Sequence, residues 1–330
     1  MGGTALKNVQ TRRIDAAGFK VLSEEVVAKL KQASDARVEV VKSYRNKPDF
    51  GDIDILWSDD CLGGGRIRDI FPDSKEIVPN GDTVSFEYKD VQIDAIYSAP
   101  HLFDFAAQYF AYNDLGNLMG RLAHKMGLKY GHNGLYYPLR NGTHQVSDLL
   151  VTTDPSKIFR LLDLDKGRYD KGFDTLEEIF EFVTSSFLFN PEIYLFDNVN
   201  AVSRIRDKKR KTYNLFLEWC KTLSTDRQYN DDSPRWLEKC MFERFPSLER
   251  RIEVAQEEFD WKNLVHSKFN GKIVSEVTGE TDKRLGQLMQ FLKARSGARF
   301  GDVATWENWV IDSHTSEINE FILNSYKDFQ

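Results

Sequence analysis

Phe50-Gly51-Asp52-Ile53-Asp54-Ile55-Leu56 decides how the chain is read. A strand turns successive side chains to opposite faces, so Asp52 and Asp54 share one face and Ile53 and Ile55 the other. A second apolar run, Val91-Gln92-Ile93-Asp94-Ala95-Ile96-Tyr97, carries a third aspartate. If a neighbouring strand brings Asp94 beside the pair, three carboxylates crowd together, and divalent cations must relieve their repulsion. Mg²⁺ suits such a site: it takes oxygen ligands, keeps some of its waters and bridges carboxylates to nucleotide phosphates. Two such ions stabilise the attacking and leaving oxygens of an in-line phosphoryl displacement. An Asp-x-Asp pair standing alone reads more readily as a strand with a solvated polar face, so the surroundings decide.

Upstream, Val40-Val41-Lys42-Ser43-Tyr44-Arg45-Asn46-Lys47 predicts a strand entering a polar, basic turn that ends at Gly51. Such a turn offers a hydroxyl, backbone N–H groups and cations to a triphosphate. With its Asp-x-Asp about ten residues on, this pattern resembles the nucleotidyltransferase superfamily, and most closely the catalytic core of family X polymerases, the DNA polymerase beta type. Those enzymes carry a Gly-Ser-aromatic-Arg-Arg-Gly turn before Gly-Asp-x-Asp. Ser43, Tyr44, Arg45 and Gly51 match it, with Lys42 in place of the first Gly and Asn46 in place of the second Arg. Beyond Asp94, Tyr109-Phe110-Ala111-Tyr112-Asn113-Asp114 stands where the family has Tyr-Phe-Thr-Gly-Ser-Asp.

The resemblance spans roughly residues 36 to 150 and implies a set of roles. Asp52, Asp54 and Asp94 would be the catalytic metal ligands, holding two Mg²⁺ ions for which Mn²⁺ can substitute, and Asp94 would also serve as base for a primer 3′-hydroxyl. Ser43, Arg45, Gly51, Tyr109 and Phe110 would contact the nucleotide, as would Arg13 from an Arg-Ile pair near the N-terminus. Asp114, Asn117 and Arg121, on a helix expected from Asp114 to Met126, would pack on the incoming nucleotide, read its minor-groove edge and touch the template side. The implied activity is transfer of a nucleoside monophosphate from an NTP or dNTP to a nucleic-acid 3′ end, DNA or RNA, with release of pyrophosphate. Gln92 replaces a basic residue that often precedes the third Asp.

The expected fold class is α+β: a palm-like mixed sheet with helices, then a mainly α-helical C-terminal domain. Residues 1–150 form the expected catalytic domain (palm-like 1–100, nucleotide-binding 101–150), and 151–330 a helical domain for nucleic acid or a partner. Helices are expected at Pro155 to Leu162, Thr175 to Phe187, Arg206 to Leu223, Trp236 to Phe245, Leu248 to Leu264 and Lys283 to Lys293, with a surface loop from Asp163 to Gly172. Ser23 is expected to N-cap a helix carrying Val26, Val27 and Leu30. The turn and helix from Phe269 to Met289 faintly resemble the helical body of tRNA nucleotidyltransferases and poly(A) polymerases, and ordinary capping glycines explain them equally well. Only some 35 residues precede the first catalytic strand, so no abasic-site lyase activity is expected. The layout is similar to stand-alone nucleotidyltransferases of bacteriophage genomes.

The 330 residues are 41% hydrophobic and 29% charged, ordinary globular usage. No apolar run reaches the roughly 18 residues of a membrane span, and no signal-peptide core is present. A cytoplasmic protein without a membrane partner is expected. Cys61, Cys220 and Cys240 are too few and too scattered for a disulfide framework or a zinc site. Met1-Gly2-Gly3 lacks the downstream Ser/Thr of a myristoylation signal, and Asn141-Gly142-Thr143 reads as a turn. The net charge of −6 argues against a nucleic-acid binder, but Arg204, Arg206, Lys208, Lys209, Arg210 and Lys211 form a dense basic run that suits a polyphosphate partner and equally a solvated helix start. Two other classes stand beside nucleic-acid extension: a superfamily member that nucleotidylates a protein or small molecule, and a binding module with a vestigial site. Retention of all three carboxylates opposes the last.

Overall fold

The computed structural model describes residues 5–142, 144–223 and 233–329. Met1-Gly2-Gly3 and Thr143, named above, lie outside them. The chain divides into two compact units, Met1–Leu248 and Glu249–Gln330.

The first unit is built on strands β1 (Ile14–Asp15), β2 (Val38–Val40), β3 (Asp49–Phe50), β4 (Asp52–Trp57), β5 (Ile77–Asn80), β6 (Thr83–Tyr88), β7 (Val91–Tyr97), β8 (Lys129–Gly131), β9 (Gly134–Asn141) and β10 (His144–Thr152). A five-stranded mixed sheet has the order β2-β4-β7-β6-β5. Only β4 and β7 run parallel, in a register that sets Asp54 opposite Asp94 and Asp52 opposite Gln92. The expected alternation holds in β4: Ile53 and Ile55 are fully buried, while Asp52 and Asp54 are half-buried on the other face. The apolar face packs on Leu22, Val26 and Leu30 of the helix Ala16–Ala33 and on Phe71, Phe86 and Ile93. Full burial of each large apolar side chain contributes about 1.5–3 kcal/mol.

That helix begins seven residues before Ser23. Asp15 caps it by accepting from the Gly18 N–H, and Ser23 sits inside it, donating to the Lys20 carbonyl. An aspartate just ahead of Ala16-Ala17 satisfies an orphan donor of the first turn as well as a serine does.

The helix expected from Asp114 is present as Leu115–Lys125, with Leu118 and Leu122 fully buried. Strands β8, β9 and β10 close this part as an antiparallel sheet. The expected boundary at residue 150 falls inside the first unit, because the helices that follow pack onto the sheet region. Tyr169 donates to the Gln108 carbonyl (2.7 Å), Tyr194 to the Leu118 carbonyl (3.2 Å), and the Arg45 N–H to the Phe173 carbonyl (2.9 Å).

Pro155–Leu162 is helical as expected. The expected surface loop from Asp163 to Gly172 instead contains a helix, Lys166–Lys171, capped by Asp165 and ended by Gly172 at φ +77°. The single helix expected from Arg206 to Leu223 is two, Ala201–Asp207 and Lys211–Cys220. The break at Lys208-Lys209-Arg210 carries no Gly or Pro; it follows from tertiary pairing of Asp207 and Arg210, described below.

In the second unit, Val274, Leu288, Leu292, Val310, Ile318 and Ile322 form a core beside the rings of Trp306, Trp309 and Phe321. The turn from Phe269 is ordinary capping: Asn270 accepts from the Ile273 N–H, and Gly279 ends the helix Gly271–Thr278 at φ +76°. No helix among the described residues is long and apolar enough to cross a membrane.

Candidate metal and nucleotide site

The parallel pairing of β4 and β7 gathers the three predicted aspartates. Asp52, Asp54 and Asp94 can each offer a carboxylate oxygen within 4.8 Å of the others. Burial and the neighbouring Asp52 and Asp94 charges push Asp54 up to about 8. Burial also raises Asp94, as does Asp52, against hydrogen bonds from Ser85 and Gln92 that favour its ionised form. The Gln92 amide nitrogen reaches both Asp94 oxygens, at 2.9 and 3.0 Å, which fixes the carboxylate without a competing charge. An oxygen-only set of this spacing fits Mg²⁺ or Mn²⁺ rather than a thiophilic metal.

The carboxylates line a cleft of about 400 Å³, together with Arg13, Ser43, Tyr44, Lys47, Phe110, Asp114, Arg210 and Lys211. Lys47 lies 4.5 Å over the Phe50 ring. Burial lowers its pKa, while Asp52 and Asp54 pull it upward, so this ammonium neutralises part of the acidic cluster. Arg13 pairs with Asp49 at the same cleft, an interaction that raises the arginine and lowers the aspartate.

No protein-family model matches this chain, and no curated protein does. Function must therefore be argued from the geometry.

Five of the predicted nucleotide contacts do not line this cleft. Arg45 pairs with Asp174 and donates to the Lys171 carbonyl at 2.9 Å, stapling the turn to the helical half. Gly172 permits that approach, since a Cβ there would lie 2.9 Å from an Arg45 guanidinium nitrogen. Tyr109 packs on the rings of Phe110 and Tyr130 rather than lining the cleft. Asn117 and Arg121 face Asp207, a fully buried carboxylate that accepts from the Asn117 amide (3.3 Å), from Arg206 (2.9 Å) and from Arg121. Arg210 then pairs with Asp114. The polar face expected to read a base pair is thus closed by this chain's own Asp207. Gly51 is buried between β3 and β4 and does not line this cleft.

Ser43, Phe110, Asp114 and Arg13 do reach the cleft. Asp114 follows a turn in which Tyr112 and Asn113 both take left-handed φ, +59° and +60°. That conformation is costly for non-glycine residues. Packing of Tyr112 on Phe173 (centroids 4.9 Å apart) and its N–H bond to the Lys42 carbonyl (2.7 Å) hold it. Tyr112 thus holds a conformation that a glycine adopts freely.

Lys47, Arg210 and Lys211 were not among the predicted site residues. For Arg210 and Lys211 the basic run was the available signal; nothing in sequence says that the chain returns it to a cleft some 150 residues away.

The raised carboxyl of Asp54 sets the pH response of the metal-free protein. Its folded pKa exceeds the value near 4 of an unfolded chain, so between those limits the native state binds more protons and stability falls as pH rises. Thermal melts in chelator should show Tm declining from pH 5 to 8 more steeply for the wild type than for Asp54→Asn. Parallel curves would remove the repulsion argument.

Proposed function

We propose that this protein is a Mg²⁺-dependent nucleotidyltransferase, taking an NTP or dNTP and releasing pyrophosphate. The observation that carries the reading is the register of β4 and β7, which sets Asp54 opposite Asp94, with Asp52 alongside, on the floor of a cleft walled by a hydroxyl and several cations. Asp52, Asp54 and Asp94 would hold the ions, which when bound supply Lewis-acid stabilisation of an α-phosphate displacement. Ser43, Lys47, Arg210 and Lys211, which line the same cleft, would hold the anionic polyphosphate by hydrogen bond and by charge. Asp94, oriented by Gln92 and raised by burial, is suited to take the proton of the attacking hydroxyl. A cleft of this size falls in the range of about 300–1,000 Å³ usual for small-molecule sites.

Closure of the Asn117 and Arg121 face by Asp207 favours untemplated addition over template copying. Transfer to a protein or small molecule likewise needs no base-reading face. Incubation with a labelled single strand, primer-template or tRNA, each NTP and dNTP, and Mg²⁺ or Mn²⁺, tests both points. Metal-dependent extension that gains nothing from a template is expected; template-matched incorporation would restore the copying role.

The rearranged contacts change what mutation should do. Ser43→Ala and Lys47→Ala should raise the nucleotide KM about tenfold each, the equivalent of one charge-assisted hydrogen bond of about 1.5 kcal/mol. Arg45→Ala should leave KM within about twofold, since its partners Asp174 and Lys171 lie outside the cleft lining. Steady-state kinetics decide this, and a KM rise for Arg45→Ala as large as for Ser43→Ala would return Arg45 to the triphosphate.

A further inference from the structure

The break between the helices Ala201–Asp207 and Lys211–Cys220 carries a basic ridge whose last residues, Arg210 and Lys211, line the cleft. Arg206, Lys208, Lys209 and Lys211 are exposed, and Lys211 with Arg210 enters the cleft lining. Six cations stand within residues 204–211 of a chain whose net charge is −6, so the positive charge is concentrated here against the balance of the molecule. The ridge is anchored from below. Asp207, fully buried, binds Arg206 and Arg121, and Arg210 is tied to Asp114. Lys208 and Lys209 are exposed, with Lys208 5.6 Å over the Phe196 ring. Val202 (80% exposed) and Ile205 (63%) add apolar surface to the same segment.

We infer that the Arg204–Lys211 ridge is the track for a single-stranded nucleic-acid acceptor, its phosphodiester backbone lying along Lys208 and Lys209 and its 3′ end entering the cleft past Lys211. This rests on the nucleotidyltransferase reading and names its acceptor. A polyanionic strand matches the ridge in charge, and each phosphate neutralised by a lysine releases counterions, which gives affinity without sequence preference. Val202 and Ile205 offer apolar contact to unstacked bases, which a duplex keeps stacked. The helix bearing them has only seven residues, too small an apolar face to hold a lipid surface.

The test is anisotropy of a 5′-labelled single-stranded DNA or RNA oligonucleotide, the matching duplex, and sedimentation with phosphatidylserine vesicles. Each is measured with the full chain, with Lys208→Glu/Lys209→Glu, and with Lys272→Glu/Lys283→Glu, which makes the same charge change at exposed lysines of the second unit. We expect the single strand to bind more tightly than the duplex. The ridge variant should bind it at least tenfold more weakly, with the slope of log Kd against log salt reduced by about 1.4, at about 0.7 per lost contact. The second-unit variant should match the wild type. Equal loss in both variants, duplex preference, or binding to vesicles alone would overturn the ridge assignment. Mg²⁺-dependent nucleotide binding, followed in the same proteins, should be unchanged by Lys208→Glu/Lys209→Glu. Its loss in Asp54→Asn but not in the ridge variant separates failure of the track from failure of the nucleotidyltransferase reading.

Discussion

Asp52→Ala, Asp54→Ala and Asp94→Ala should each reduce nucleotide transfer by at least about three orders of magnitude. A divalent ion contributes several kcal/mol of transition-state charge stabilisation, and each 1.36 kcal/mol is tenfold in rate. The folded state should survive. Ile53 and Ile55 on the opposite face carry the packing of β4, and removing one of three crowded carboxylates relieves repulsion. The expected signature is therefore paired: single-turnover transfer collapses, while circular dichroism is native and the metal-free Tm at pH 8 is equal to or above that of the wild type. Turnover within tenfold of wild type in any of the three would exclude a shared metal site.

The second large effect is on stability. Asp207 accepts from Arg121, Arg206 and Asn117 with no exposure of its own. Burial alone would raise its pKa, but the hydrogen bonds and charges of Arg206 and Arg121 outweigh it and hold the carboxyl below its ordinary value. Asp207→Ala leaves the buried Arg121 without its counter-charge, which costs about 3–5 kcal/mol. Asp207→Asn keeps hydrogen-bonding capacity and should cost less. Because the folded pKa is depressed, the contribution of Asp207 is present above the unfolded value near 4 and is lost as pH falls below it. Urea unfolding at pH 7 and at pH 3 measures both. A loss under about 1 kcal/mol for Asp207→Ala at pH 7 would mean that the network is not a structural anchor.

What sequence made legible follows from how far each pattern reaches along the chain. Alternation of Asp and Ile in β4 is a local signal with period two, and the buried Ile53 and Ile55 bear it out. The stripe Leu115, Leu118, Leu122 is likewise local and fixes the helix Leu115–Lys125. The polar face of that helix was not readable in the same way. Its partner Asp207 lies 90 residues beyond Asn117 and 86 beyond Arg121, and Arg45 meets Asp174 across 129 residues. A polar residue on a helix looks the same in sequence whether it awaits a substrate or a distant carboxylate. The compact units divide the chain later than residue 150 for a related reason. Composition turns helical near residue 151, but Tyr169 and Tyr194 hydrogen-bond back to Gln108 and Leu118, so packing draws the next hundred residues into the first unit.

The central claim, that the three carboxylates form a metal site serving a nucleotide, is tested most directly by Mn²⁺ binding followed by electron paramagnetic resonance, with and without a non-hydrolysable triphosphate nucleotide. The wild type should bind Mn²⁺ more tightly as pH rises through about 8, because the protonated Asp54 competes with the ion. Nucleotide should increase both the affinity and the number of ions held, from one towards two, and Asp54→Asn should abolish that increase. Mn²⁺ binding that is indifferent to nucleotide, or equal in the wild type and Asp54→Asn, would contradict the account.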